Sequence, residues 1–404
     1  MRDFLPAEKA QREQVLSVIR STYRAHGFDE IETPVVEDSD RLHAGLGGDN
    51  EKLAFAVMKR GLTPDDFKTA GDYLDLADLG LRFDLTVPLA RFYASHRAEL
   101  PTVFRAIQIA PVWRAERPQK GRFRQFVQCD IDIIGEAGPL AEIELITATS
   151  DALTALGIEG ATIRINDRRI LRRIVSALGI ADENYERALI IIDKEDKIGV
   201  EGVVKELVEN GLGDAAVMTP ILEGLAQVGD GWALGDTAWL DQTAYDNLKA
   251  IKDAVGTAAH LVFSPNLVRG MGYYTGTIFE VAHPDLGYSL GGGGRYDGMI
   301  GRFLGTDVPA AGFSLGFERL VELVELEGKD KQDAVALVYD ADVPAARLAT
   351  LKAELVATGA RVRLEKRTKN PKQLFDTLAA NGFTRFAFVG TDTENLEFRP
   401  IAAQ

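Results

Sequence analysis

The stretch Trp113–Phe126 constrains this chain more than any other. It places Arg114, Arg117, Lys120, Arg122 and Arg124 between two runs of strand-like texture, Ala106–Ile109 and Ile131–Ile134. Apolar runs on either side of so polar a segment predict two antiparallel strands flanking a mobile basic loop. One carboxylate, Glu116, stands near the first arginine and one aromatic, Phe126, follows the last. A solvated turn scatters its charges and has no use for Phe126. A nucleotide site needs cations for phosphate oxygens and a flat face for the base, and guanidinium forks both match phosphate and stack on rings. Charged turn and nucleotide site both remain open from spacing alone.

The flanking texture supplies a scaffold. Glu8–Ala25 reads as an amphipathic helix with Leu16, Ile19 and Tyr23 on one face and Gly27 as its stop. A short strand, Glu30–Thr33, ends at Pro34, which cannot donate to a ladder. Partial alternation over Tyr73–Phe83 precedes a helix starting near Thr86, and a helix over Leu140–Leu156 follows the basic loop and its strands. Residues 166–255 turn helix-rich and highly charged, the texture of an inserted helical module. Strands return at His260–Phe263 and Thr277–Val281, then the run Gly291–Gly294 and a helix expected from about Phe313 to Leu326. Beyond the polar linker Glu327–Gln332, strand and helix alternate to Val389, which predicts a small α/β domain with a partly parallel sheet.

At 404 residues the chain is long enough for at least two folding units. A single cysteine, Cys129, excludes an intrachain disulfide framework and fits a reducing compartment. The five histidines are scattered without metal-ligand spacing, which argues against a zinc site. The start lacks the apolar stretch of a signal peptide, and no apolar run suits a bilayer, so a cytoplasmic, membrane-free protein is expected. The net charge of −15 argues against wholesale polyanion binding. That charge is uneven: from Gln332 onward 10 basic residues face 9 acidic ones, leaving −16 on the preceding body. Arg361, Arg363, Lys366, Arg367, Lys369 and Lys372 lie close together there, and on charge alone they read as a solvated face.

A second short pattern, Gly312-Phe313-Ser314-Leu315-Gly316-Phe317-Glu318-Arg319, sets glycines for close backbone approach before a helix and Arg319 near that helix's start. Together, Arg114, Glu116, Arg122 and Phe126 followed by Glu318 and Arg319 resemble motifs 2 and 3 of class II aminoacyl-tRNA synthetases, and Gly27–Pro34 looks like motif 1. More narrowly, Leu267–Gly276 and Gly293–Gly298 resemble the two peptides diagnostic of the histidyl-tRNA synthetase family. Asn166–Leu171 and Asp193–Lys197 are similar to the subtype shared by eukaryotic and some bacterial members. The resemblance covers nearly the whole chain. It implies an α+β catalytic domain over 1–326, a mostly antiparallel sheet flanked by helices, with a helical insertion over 166–255. A shortened anticodon-binding-like α/β domain over 332–404 would complete it.

The activity so implied fits the residues. A substrate carboxylate, already ionised at neutral pH, attacks the α-phosphate of ATP, so the protein must position two anions and neutralise charge rather than supply a base. The resemblance gives Arg114 and Arg269 to the α-phosphate, Arg122 and Arg319 to the remaining phosphates, Phe126 to the adenine ring opposite Arg319, and Glu116 to adenine or its loop. Magnesium would chelate the outer phosphates, with no protein ligand assigned. Gln128 and Asp132 stand four apart on one strand, hence on one face. The family pattern gives Asp132 and Tyr274 to the two imidazole nitrogens, Asp84, Thr86 and Gln128 to the α-amino group, and Tyr273 to the same pocket. Histidine, ATP and the histidine tRNA are the implied partners of a homodimer. Two departures stand out. Gly272 replaces the usual acid, which implies looser orientation of Arg269 or Tyr273, and the C-terminal domain reads as stopping early, at Leu396–Pro400. The rival reading is a non-catalytic paralogue regulating ATP phosphoribosyltransferase, and a third is an enzyme that activates histidine but charges another acceptor.

Overall fold

A computed structural model describes residues 1–42, 53–117, 123–228, 231–232, 234, 237, 239–269, 272–324 and 333–401. The chain divides into two compact units, one of Met1–Arg2 with Leu16–Val324 and one of Asp3–Val15 with Glu325–Gln404. In chain order the strands of the first unit are β1 (Asp29–Glu30), β2 (Val36–Asp38), β3 (Phe55–Met58), β4 (Ala77–Leu81), β5 (Phe104–Trp113), β6 (Gln125–Ile134), β7 (Thr162–Asp167), β8 (Leu261–Phe263), β9 (Thr277–Ala282), β10 (Gly291–Arg295) and β11 (Ala310–Gly316). Eight of them form one sheet in the order β1-β5-β6-β11-β10-β9-β7-β8. Its interior pairs are antiparallel, and only the outer pairs β1/β5 and β7/β8 are parallel. Strands β2, β4 and β3 make a small antiparallel sheet of their own.

The antiparallel pair expected around the basic loop is present and longer than the apolar runs alone indicated, with Phe104 opposite Ile134 and Trp113 opposite Gln125. The helix expected from Phe313 is a correction. Residues 310–316 continue as β11, a strand bonded on one side to β6 and on the other to β10, and the helix is Phe317–Leu323. Glycine and alanine at Ala310, Ala311, Gly312 and Gly316 lower the apolar contrast that marks a strand, so the pattern reads as helix until its neighbours supply both ladders. Helices Thr86–His96 and Leu140–Ala155 stand where the texture placed them. The charged segment is helical over Arg168–Ala177, Tyr185–Ile192, Glu195–Glu209, Ala215–Val228 and Gln242–Val255, while Asn166 and Asp167 still belong to β7.

The second unit carries β12 (Ala334–Tyr339), β13 (Arg361–Lys366), β14 (Arg385–Val389) and β15 (Arg399–Pro400) in the order β13-β12-β14-β15. The first three are parallel, and β15 closes the edge antiparallel. Alternate residues of β12 enter two apolar clusters, Val335 and Leu337 in one and Ala334 and Ala336 in the other, as befits a strand covered on both faces. Among the described residues no helix is long and apolar enough to cross a membrane.

Candidate functional site

Period-2 alternation divides β6 into two chemistries. Cys129, Ile131 and Ile133 are fully buried in the core, and Phe126, Gln128, Asp130 and Asp132 line a cavity of about 310 Å³ on the other face. Register carries that face across the sheet. One row reads Glu280, Gly292, Ser314, Asp130 and Gln108 from β9 to β5, and the next reads Ile278, Gly294, Gly312, Asp132 and Ala106. The rows are glycine-rich where large side chains from elsewhere need room. A Cβ on Gly312 would lie 1.9 Å from an Asp132 carboxylate oxygen, and one on Gly294 would lie 2.9 Å from the Tyr274 ring.

The cavity gathers every expected site residue except Arg122, which lies outside the described residues. Asp84, Thr86, Arg114, Glu116, Phe126, Gln128, Asp132, Arg269, Tyr273, Tyr274 and Arg319 all line it. Arg114 leaves the end of β5 with its Nε donating to the Phe83 carbonyl at 2.9 Å, and its guanidinium lies 5.1 Å from the Phe126 ring centre. Arg319, in the first turn of its helix, donates to the Ser289 carbonyl and sits 5.0 Å from the Tyr288 ring centre. Arg269 donates to Glu280 Oε2 at 2.7 Å. Asp84 precedes the helix Thr86–His96 and accepts from the Val87 N–H at 3.2 Å, and its other oxygen is buried without a partner among the described residues. Tyr273 shares a hydrogen bond with Thr86, and its ring packs at 61° against Tyr274.

Sequence reasoning passed over several groups here. Asp130 sits midway between Gln128 and Asp132, and the same period-2 argument that paired those two would have found it. It is 4% exposed and approached by the Gln128 amide nitrogen at 3.4 Å. Ser314 takes a firmer bond from that nitrogen, at 3.1 Å. With Nε2 so engaged, the Gln128 Oε1 is left buried and without a donor among the described residues. Tyr296, in the glycine-rich peptide, donates to Asp132 Oδ1 at 2.5 Å. Its neighbour Arg295 serves the scaffold instead, with both ends of its fork on Glu142 at 2.6 and 2.7 Å and further bonds to Glu136 O, Gly138 O and Asp297.

The electrostatics are those of buried anions facing cations. Burial pushes the Asp84 carboxyl up to about 6, with the Val87 N–H and Arg114 pulling the other way. Burial likewise pushes Asp132 up to about 7, opposed by the Tyr296 hydroxyl and assisted by the charge of Asp84. Asp130 is raised as well, by burial first and by the charge of Asp132 second. Such a floor suits a cationic or N–H-bearing ligand, while Arg114, Arg269 and Arg319 suit an anionic one. Among the described residues no cluster of three His, Cys, Asp or Glu side chains could hold a metal ion.

Comparison with known proteins points to one family. Residues 1–320 match the family model described as Histidyl-tRNA synthetase. The chain is 60% identical over 418 aligned positions to the histidine–tRNA ligase of Leifsonia xyli subsp. xyli, covering 99% of this chain and 97% of that one. It is 41% identical to the probable histidine–tRNA ligase of Tropheryma whipplei, covering 96% and 94%. Among solved structures, histidyl-tRNA synthetase from Nostoc sp. PCC 7120 superposes with a TM-score of 0.76 at 24% identity, over 99% of this chain and 93% of that one. An ATP phosphoribosyltransferase regulatory subunit/histidyl-tRNA synthetase from Bacillus halodurans shares the fold at a TM-score of 0.75 and 20% identity, covering 97% of each.

Proposed function

The chain belongs to the histidyl-tRNA synthetase family, and from that premise we propose that it is a catalytic histidine–tRNA ligase, an aminoacyl-tRNA synthetase working in the cytoplasm as a homodimer. Histidine and ATP react to give histidyl-adenylate, and the histidyl group then passes to the histidine tRNA. The observation that carries the reading is the single cavity that presents Arg114, Arg269 and Arg319 beside Asp84 and Asp132. The rival regulatory role requires no such set of cations, and identities of 60% and 41% to ligases over nearly the whole chain favour the enzyme.

The histidine carboxylate oxygen bonds to the α-phosphorus of ATP, the bond to the bridging oxygen breaks, and pyrophosphate leaves. Two anions must meet, so the useful work is cation placement and exclusion of water. Arg114 holds the α-phosphate and the incoming carboxylate, and Arg269 is the additional cation at the α-phosphate. Arg122 and Arg319 hold the outer phosphates, with magnesium entering as part of the ATP substrate. Phe126 offers its ring to adenine, and Glu116 contacts the base or its loop. Asp84, Thr86 and Gln128 receive the α-ammonium, where the unpaired Asp84 and Gln128 oxygens supply acceptors. Asp132 and Tyr274 face the imidazole N–H and N, with Tyr273 alongside. A pocket that pairs both ring nitrogens rejects isosteres that leave those groups unpaired.

The test is histidine-dependent exchange of pyrophosphate into ATP, followed by charging of the histidine tRNA. Both are expected. No exchange would favour the regulatory paralogue, and exchange without charging would favour another acceptor.

A further inference from the structure

Four consecutive glycines form β10 apart from its last residue, and their missing side chains do different jobs. A Cβ on Gly291 would lie 2.6 Å from the Ser314 carbonyl oxygen, on Gly293 2.0 Å from the Gly312 carbonyl oxygen, and on Gly294 2.6 Å from the Thr277 carbonyl oxygen. Those three are demanded by neighbouring backbone, which cannot move aside. Gly292 differs. The three nearest atoms to its Cβ would be Cζ, Nη2 and Nη1 of Arg269, at 2.6, 2.7 and 2.8 Å. What occupies the space of the absent side chain is a guanidinium lying against the sheet.

The partner across the ladder completes the arrangement. Gly292 pairs directly with Glu280 of β9, so the two share a face. Glu280 accepts from Arg269 Nη1 at 2.7 Å, and both side chains are about four-fifths buried, at 23% and 21% exposure. The Nε of the same guanidinium is buried without an acceptor among the described residues. Arg269 lines the cavity, and Glu280, which accepts from it, does not.

We infer that the cross-strand pair Glu280–Gly292 is a positioning device for Arg269, in which the carboxylate fixes one end of the guanidinium and the missing Cβ provides its seat. The inference rests on the role proposed above for Arg269. Glu280 and Gly292 act through that arginine: a guanidinium displaced by an ångström no longer meets the α-phosphate as charge builds, and losses of about 100-fold follow such misplacement. Binding of histidine, governed by the aspartate floor, is untouched.

The experiment measures kcat and KM for histidine and for ATP in pyrophosphate exchange, using the full chain. The variants are Arg269→Ala, Gly292→Ala, Glu280→Gln, Gly293→Ala and the double variants with Arg269→Ala. Gly292→Ala and Glu280→Gln are each expected to lower kcat about 100-fold with the histidine KM changed by about two-fold or less. Each should be silent in the Arg269→Ala background, because groups that act through one residue are not additive. Gly292→Ala should melt with the parent, since a flexible side chain yields to its Cβ, whereas Gly293→Ala should unfold at lower temperature. Full exchange by Gly292→Ala and Glu280→Gln while Arg269→Ala is impaired would overturn the device and leave the function standing. Losses that multiply with Arg269→Ala would also overturn it, as would loss of fold in both single variants. Full exchange by Arg269→Ala would remove the role of Arg269 itself and the inference with it.

Discussion

The two principal sheets of this chain treat their buried positions in opposite ways. In the C-terminal unit, β12 sends apolar side chains to both faces. In the larger unit, β6 sends Cys129, Ile131 and Ile133 to one face and Gln128, Asp130 and Asp132 to the other, and all six are buried. The first sheet is built as a core. The second is a core on one side and a binding surface on the other, where desolvated carboxylates lower stability so that a ligand can be held. The comparison teaches where each unit is vulnerable: the small sheet to lost volume, the large one to lost pairing.

The largest effect should come from Arg295, the cation that locks β10 to the start of the helix Leu140–Ala155. Replacing it with Ala would leave Glu142, 2% exposed, without its bidentate partner. Breaking a buried pair on one side costs about 3–5 kcal/mol. Calorimetry should show the transition of the larger unit moving down sharply while that of the C-terminal unit stays in place. Next comes Leu337→Ala in β12, where a fully buried side chain leaves a cavity worth about 2–5 kcal/mol. Here the other transition should move, and histidine-dependent exchange below the melting range should be unchanged. If either variant shifted both transitions equally, the division of labour between the sheets would be broken.

How far the sequence discloses these features follows from what each depends on. The strands that flank the basic loop and the alternation of the small domain are local patterns, and they survive in the fold. So does the face shared by Gln128 and Asp132, because strand periodicity is a property of the backbone. What stays hidden depends on partners remote in sequence. Residues 313–316 of β11 are misread as helix because only β6 and β10, far apart in the chain, supply its ladders. Glu280 looks like an ordinary strand residue until register sets it opposite Gly292. Arg295 and Arg269 belong to two similar-looking peptides, yet one is spent on Glu142 and the other lines the cavity, a distinction that only tertiary contacts make.

A smaller effect of opposite sign is expected on the aspartate floor. Asp132→Asn should stabilise the larger unit by about 1–2 kcal/mol while raising the histidine KM, the usual exchange of stability against function. The pH sign follows from its carboxyl, raised to about 7 in the fold against about 4 for an unfolded aspartate. The stability it contributes is full below about pH 4 and is lost as pH rises through 7, because folding must then bury a charge. Melting measured from pH 5 to 8 should therefore show a fall that Asp132→Asn flattens. Histidine affinity should strengthen over the same interval, as the ionised form is the better acceptor. A variant no more stable than the parent at pH 8 would remove the stated cost of the charged face.

The smallest effect separates surface charge from buried charge. Arg367 lies on the C-terminal unit with its guanidinium 3.3 Å from Asp340 and 4.8 Å from the Phe388 ring centre, and more than half of its side chain is exposed. Exposed pairs of this kind contribute about 1 kcal/mol or less. Arg367→Ala should thus leave melting of the small unit nearly unchanged and leave pyrophosphate exchange alone. If the stretch from Arg361 to Lys372 binds the tRNA backbone, the same variant should weaken charging and reduce its dependence on salt by about one ion for each phosphate no longer neutralised. Charging that keeps its full salt dependence would assign these cations to solvation and leave the buried set as the charges that matter to function.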